Sequence, residues 1–233
     1  MKKILLLHGW NYKNYNHILK DKDAWHNRTN FVKMLEKKYQ VHKIDMPGFG
    51  LCETPNSKGW NLDDYTNYIF TYITENNLKI DYIIGYSFGG AVAINYKNTI
   101  NKKQKLILLS PAIIRNQKKS KTFLKTPKFI DPIRNVLRNA YVIKVKKTNE
   151  MVYGNKFLRN TYQSIVRVDL LDVVSSFNKS EYRIIYGSLD NMVKPNTVKK
   201  LLEDNVIMIE GAGHDIANTN TEELVENINK FIS

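Results

Sequence analysis

Apolar residues along this chain recur in two alternating spacings. Short unbroken runs, such as residues 4–7 in "KKILLLH" and 82–84 in "DYIIGYS", have the length and continuity of strands covered on both faces of a parallel sheet. Comparable runs in "YQVHKIDMPGFG", "QKLILLSPA", "EYRIIYGS" and "NVIMIEGAG" bring the expected strands to about six. Between them the apolar positions switch to helical spacing. Residues 24–38 gather Phe31, Val32 and Leu35 on one face, with Trp25 beside them. "NLDDYTNYIFTYITENN" aligns Leu62, Tyr65, Ile69 and Ile73, with Asp63 and Asp64 favourable in its first turn. "FGGAVAINYKN", "PNTVKKLLED" and "TNTEELVENINKFIS" read as further helices, the last with Thr219 or Asn220 as its cap. Such strand–helix–strand repetition predicts an α/β fold: a mainly parallel sheet, right-handed crossovers and helices on both faces.

One stretch breaks the alternation. Residues 111–178 show helical spacing without strands (Ile133, Val136, Leu137, then Phe157, Leu158, Tyr162, Ile165, Val166), interrupted by Pro127, Pro132 and Gly154. They predict a helical cap inserted into a core made of residues 1–110 and 179–233.

Composition changes this picture little. At 233 residues, 42% hydrophobic and 25% charged, the chain has the makings of one ordered domain. The opening "MKKILLLHGW" has too short an apolar run for a signal peptide and no cleavage site, and no stretch approaches a membrane span, so a cytoplasmic protein is expected. The one cysteine, Cys52, excludes an internal disulfide and forms no metal-ligand pattern, and its simplest reading is a small buried residue. Neither metal nor cofactor is expected. Charge changes the picture more. The net charge is +14, and residues 115–167 hold 14 Lys+Arg against 2 Asp+Glu, leaving 22 against 20 elsewhere. A lysine-rich composition does not by itself segregate charge in this way.

The candidate chemistry sits at strand ends. In Gly85-Tyr86-Ser87-Phe88-Gly89 a strand runs into a helix of small residues, and a Cβ at either glycine would collide with its neighbours. That context makes Ser87 a candidate nucleophile, with the Phe88 amide aimed at the same point. A serine hydroxyl needs a base, and the base an orienting acid. Of five histidines, His214 follows the last strand in a loop freed by Gly211 and Gly213. His17, His26 and His42 lie in unremarkable text, and His8 reads as a loop-shaping residue. Asp190 follows the fifth strand and is the favoured acid. Asp169 and Asp172 compete from helical text, and Asp215 reads as structural. A second oxyanion donor is expected from the Trp10 amide after Gly9.

The ordered set "LLLHGW", "DMPGFG", "GYSFGG", "YGSLDNMV" and "GAGHDI" resembles the α/β-hydrolase family over nearly the whole chain except the insertion. It is most similar to small serine carboxylesterases of the pimeloyl-ester esterase type, which carry a similar His-Gly-Trp loop. The resemblance implies Ser87 as nucleophile, His214 as base, Asp190 as acid, and Trp10 and Phe88 as the oxyanion hole, with Asp45 architectural. It also implies a cap that sets substrate choice. Two features depart from the family: the first two antiparallel strands are missing, and Cys52 stands where serine is common. The function expected is hydrolysis of carboxylic esters through an acyl-enzyme. The same residues would serve a thioesterase or acyltransferase, and a non-catalytic binding protein is the outside alternative. The basic insertion suggests an anionic small-molecule ester or an acyl-carrier-bound substrate. No nucleic-acid motif accompanies the charge, and aspartate-dependent dehalogenation is disfavoured by a serine at the nucleophile position.

Overall fold

The computed structural model describes residues 1–114, 148–193 and 195–233. Its centre is a sheet of six strands: β1 (Lys3–Leu7), β2 (Gln40–Ile44), β3 (Tyr82–Tyr86), β4 (Lys105–Leu109), β5 (Tyr182–Gly187) and β6 (Val206–Ile209). The spatial order is β2-β1-β3-β4-β5-β6 and every pairing is parallel. Among the described residues no antiparallel pair of strands precedes β1. β1, β3 and β4, flanked on both sides, are buried almost end to end, which is why they read as unbroken apolar runs.

Alternation along each strand divides the core into two layers. Leu5 and Leu7 of β1, with Leu106 and Leu108 of β4, face the helices α2 (Leu62–Glu75), α3 (Phe88–Thr99) and α5 (Pro195–Leu202). Ile4, Leu6, Ile107 and Leu109 point the other way, onto α1 (Thr29–Glu36) and α6 (Thr221–Ile232). Between β4 and β5 the described residues form α4 (Lys156–Ile165) and two one-turn helices, Asn149–Tyr153 and Leu171–Ser175. The spacing noted at Ile133, Val136 and Leu137, and the breaks at Pro127 and Pro132, lie outside the described residues. Among the described residues no helix is long and apolar enough to cross a membrane.

Three local expectations are corrected. The helix expected over residues 24–38 starts at Thr29, not near residue 24. Asp23 Oδ1 accepts from the Trp25 amide at 2.8 Å, and a 3-10 turn (His26–Arg28) follows, which buries Trp25 without a helix. Asn220 occupies the cap position of α6, but its Oδ1 accepts from the Thr219 hydroxyl at 2.8 Å and makes no cap bond. Cys52 is half-buried, with Sγ 3.4 Å from the Tyr68 hydroxyl.

Candidate active site

β3 ends at Tyr86 and α3 begins at Phe88, so a single residue, Ser87, makes the turn. Its backbone lies at φ 50° and ψ −107°, a conformation costing a non-glycine residue on the order of 1–3 kcal/mol. The surroundings hold it there. Ser87 N donates to the Leu109 carbonyl at 2.8 Å, and the Ser87 carbonyl accepts from Gly90 N at 3.1 Å. A Cβ on Gly85 would lie 2.5 Å from the Gly89 carbonyl oxygen, and one on Gly89 would run into the carbonyls of Leu7 and His8. The crossing of strand, helix and β1 loop is therefore too close for any side chain at either glycine.

The loop after β6 closes on the same point. A Cβ on Gly187, the last residue of β5, would strike the carbonyls of Ala212 and Gly213, so the loops following β5 and β6 lie in contact. His214 Nδ1 is 2.7 Å from Asp190 Oδ2, and Nε2 is 3.1 Å from Ser87 Oγ. Burial pushes the Asp190 carboxyl up, but the bond and charge of His214 outweigh it. With the Met192 and Val193 amides on Oδ1, they hold Asp190 below the usual carboxylate range. An ionised Asp190 can only accept, so Nδ1 carries the imidazole proton and Nε2 accepts from the Ser87 hydroxyl.

The loop after β1 forms the opposite wall. A Cβ on Gly9 would come 3.3 Å from Ser87 Cβ, which places Trp10 beside the serine. The Phe88 amide opens α3 and has no acceptor within its own helix. The Trp10 ring is pinned: Nε1 donates to the Tyr15 hydroxyl at 2.9 Å, and the ring meets Phe49 and Phe88 edge-on. His8 shapes this loop from below. Its Nε2 accepts from Met46 N at 2.9 Å, so Nδ1 bears the proton and donates to the Gly9 carbonyl at 2.9 Å. Asp45 is likewise architectural, its carboxylate accepting from Ala24 N and Leu51 N.

Two cavities reach Ser87 and His214. One is mostly apolar, with Ala112, Ile165, Val166 and Val193 in its wall. The other is bordered by the polar side chains of Asn11, Tyr12, Arg28 and Asp215 together with apolar surface. Glu150 borders both. Ser87, Asp190, His214, Trp10 and Phe88 are thus brought together. The competing acids are not: Asp169 accepts from the amide of Leu171, and Asp172 lies in the first turn of the helix Leu171–Ser175. His17 and His26 bond the carbonyls of Tyr153 and Asp23, and His42 sits on β2. Sequence reasoning missed Arg28, Glu150 and the Trp10 ring. Trp10 alone had a usable signal, because a tryptophan following a loop glycine is a large apolar side chain fixed beside the site. Among the described residues no group of three or more His, Cys, Asp or Glu side chains could hold a metal ion.

Known proteins agree with this architecture. Over 99% of the chain, the structure superposes on 91% of bromoperoxidase from Bacillus anthracis (TM-score 0.69, 19% identity). The esterase from Exiguobacterium antarcticum matches over 100% of this chain and 92% of its own (TM-score 0.67, 18% identity). The meta-cleavage product hydrolase CumD from Pseudomonas fluorescens matches over 100% and 90% (TM-score 0.68, 18% identity). Identities this low carry the fold alone. Among curated proteins no sequence relative matches the chain. The sequence profile of the alpha/beta hydrolase family matches residues 4–227, nearly the full length, and the chain belongs to that family.

Proposed function

We propose that this protein is a serine hydrolase that cleaves carboxylic esters through an acyl-enzyme on Ser87. The observation that carries the reading is the relay from Ser87 Oγ through His214 to a buried Asp190, set on a strained turn. In the proposed reaction His214 Nε2 takes the hydroxyl proton as Ser87 Oγ bonds to the ester carbonyl carbon. The carbonyl oxygen gains the negative charge, and the Trp10 and Phe88 amides stabilise it at the positive end of α3. Collapse expels the alcohol, which takes the proton back from His214. A water then repeats the sequence on the acyl-enzyme and frees the acid. Asp190 remains ionised throughout and steadies the imidazolium.

The cavity walled by Ile165 and Val193 suits the acyl group, and the cavity beside Arg28 and Asp215 the departing alcohol. Ala112 and Val193 line the acyl side of the apolar cavity. Tyr162, Ile165 and Val166 in its wall come from residues 111–178, in keeping with a cap over a core of residues 1–110 and 179–233. The test uses p-nitrophenyl acetate. The parent chain should release p-nitrophenol, and Ser87→Ala should lose that activity to the level of uncatalysed hydrolysis while keeping its circular-dichroism spectrum. A folded, active alanine variant would remove Ser87 from the mechanism.

A further inference from the structure

The loop carrying His214 is held on one side by the loop after β5: Gly211 N donates to Ser188 Oγ at 2.9 Å, and the Ala212 carbonyl accepts from Leu189 N at 2.9 Å. A Cβ built on Gly211 or Gly213 meets nothing within 4 Å, and Gly211 lies at φ 72°. The imidazole is bonded to Asp190, and two further contacts hold the chain at and just beyond His214. The Tyr86 hydroxyl donates to the His214 carbonyl at 3.3 Å, and Arg28 Nε donates to Asp215 Oδ1 at 2.9 Å.

Arg28 joins these two contacts into one unit. Its guanidinium carbon lies 4.6 Å over the centre of the Tyr86 ring, and Nη1 donates to Asn27 Oδ1 at 3.0 Å. Only 5% of Arg28 is exposed, so the stack forms with little water around it, whereas the Asp215 side chain keeps 36% of its surface and the ion pair is partly screened. Tyr86 immediately precedes Ser87, and Asp215 immediately follows His214. One side chain, 187 positions from Asp215 in the chain, therefore grips a neighbour of each reacting residue.

We propose that Arg28 is a positioning residue: through Tyr86 and Asp215 it clamps the His214 imidazole opposite Ser87. The proposal rests on the reading of His214 as the base. Arg28 touches neither reacting atom. Its work is to keep the 3.1 Å approach of Nε2 to Oγ, and errors of about 1 Å in such geometry can cost on the order of 10²-fold in rate.

The experiment compares Arg28→Met, Arg28→Lys, Asp215→Ala and the Arg28→Met/Asp215→Ala pair with the parent. Turnover of p-nitrophenyl acetate is measured beside the rate at which a fluorophosphonate labels Ser87, a readout of serine activation that needs no ester. The clamp predicts that Arg28→Met lowers kcat and the labelling rate together, by about 10- to 100-fold, with KM within about threefold. Asp215→Ala should do the same, and the double variant should be no worse than the weaker single, because both changes break one unit. Arg28→Lys should recover part of the loss, since an ammonium can pair with Asp215 but cannot form the planar stack.

Full kcat and labelling in Arg28→Met would overturn the proposal, as would losses that multiply in the double variant. A rise in KM confined to anionic esters would overturn it too, and would make Arg28 a substrate-binding group facing the cavity it borders with Asp215. If Arg28→Met shows no thermal transition, Arg28→Lys and Asp215→Ala decide between the same outcomes through the same two rates. Ser87→Ala separates the two readings. A dead Ser87→Ala beside a fully active Arg28→Met refutes the clamp alone, whereas a parent that neither hydrolyses ester nor takes the phosphonate refutes both.

Discussion

His8 is 1% exposed, whereas the His214 side chain keeps 14% of its surface. Burial, the largest influence on His8, lowers its pKa, and the Gly9 carbonyl and the charges of Asp45, Arg28 and Asp23 only modify that effect. Its Nε2 must stay bare to accept from Met46 N. A histidine with a depressed folded-state pKa contributes stability that is complete above its unfolded value of about 6.5 and is lost as pH falls below it. The melting temperature should therefore fall between about pH 7.5 and about pH 5. His8→Gln, whose side-chain oxygen can still accept from Met46 but cannot titrate, should flatten that slope in a pH series of thermal melts. An unchanged slope would mean that another group governs it. Asp190 falls under the opposite case for the same kind of reason. Its lowered pKa keeps it ionised across this window, and its stabilising contribution is lost only as pH falls below its unfolded value of about 3.9. Asp190→Asn preserves the shape but invites the wrong imidazole tautomer, and kcat for p-nitrophenyl acetate should drop by about 10⁴-fold with little change in KM.

At the scale of elements, the helices depend on ends that periodicity does not describe. Asn61 caps α2 by accepting from Asp64 N at 3.0 Å, while Asp64 Oδ2 accepts from Asn61 N at 2.8 Å. Removing this reciprocal box with Asn61→Ala should cost about 1 kcal/mol and lower the melting temperature by about 2–4 °C. Esterase activity at room temperature should be unaffected, because neither Asn61 nor Asp64 lines either cavity. A larger loss of activity than of stability would contradict that separation. The same contrast explains what could be read from the sequence. Strands buried on both faces announced themselves as apolar runs, and Ser87, Asp190 and His214 were legible because each follows such a run within a few residues. The start of α1 was not legible: the side chain of Asp23 and a 3-10 turn bury Trp25 in a way that helical spacing imitates. Nor was Arg28, whose meaning depends on Asp215 and Tyr86 lying beside it in space.

For the whole molecule, the feature still to be explained is charge. Net charge is +14, and nearly all of the excess belongs to residues 115–167. Residues 115–147 lie outside the described part, but Lys156, Arg159 and Arg167 are exposed on or beside α4, the helix that supplies Ile165 to the apolar cavity. Positive charge on the element that borders the substrate's space would raise the local concentration of an anionic ester or an acidic acyl carrier. Its effect would fall on association more than on chemistry. Salt separates this from a merely solvated basic face, since the Debye length shortens from about 30 Å at 0.01 M to about 10 Å at 0.1 M. With a carboxylate-bearing p-nitrophenyl ester, such as the hemisuccinate, kcat/KM should fall several-fold across that range while kcat holds steady. With the neutral acetate both constants should stay within about twofold. Reversing charge at Lys156, Arg159 and Arg167 should then reduce the salt slope for the hemisuccinate alone. Parallel salt curves for the two esters would remove electrostatic attraction as the reason for the segregated charge.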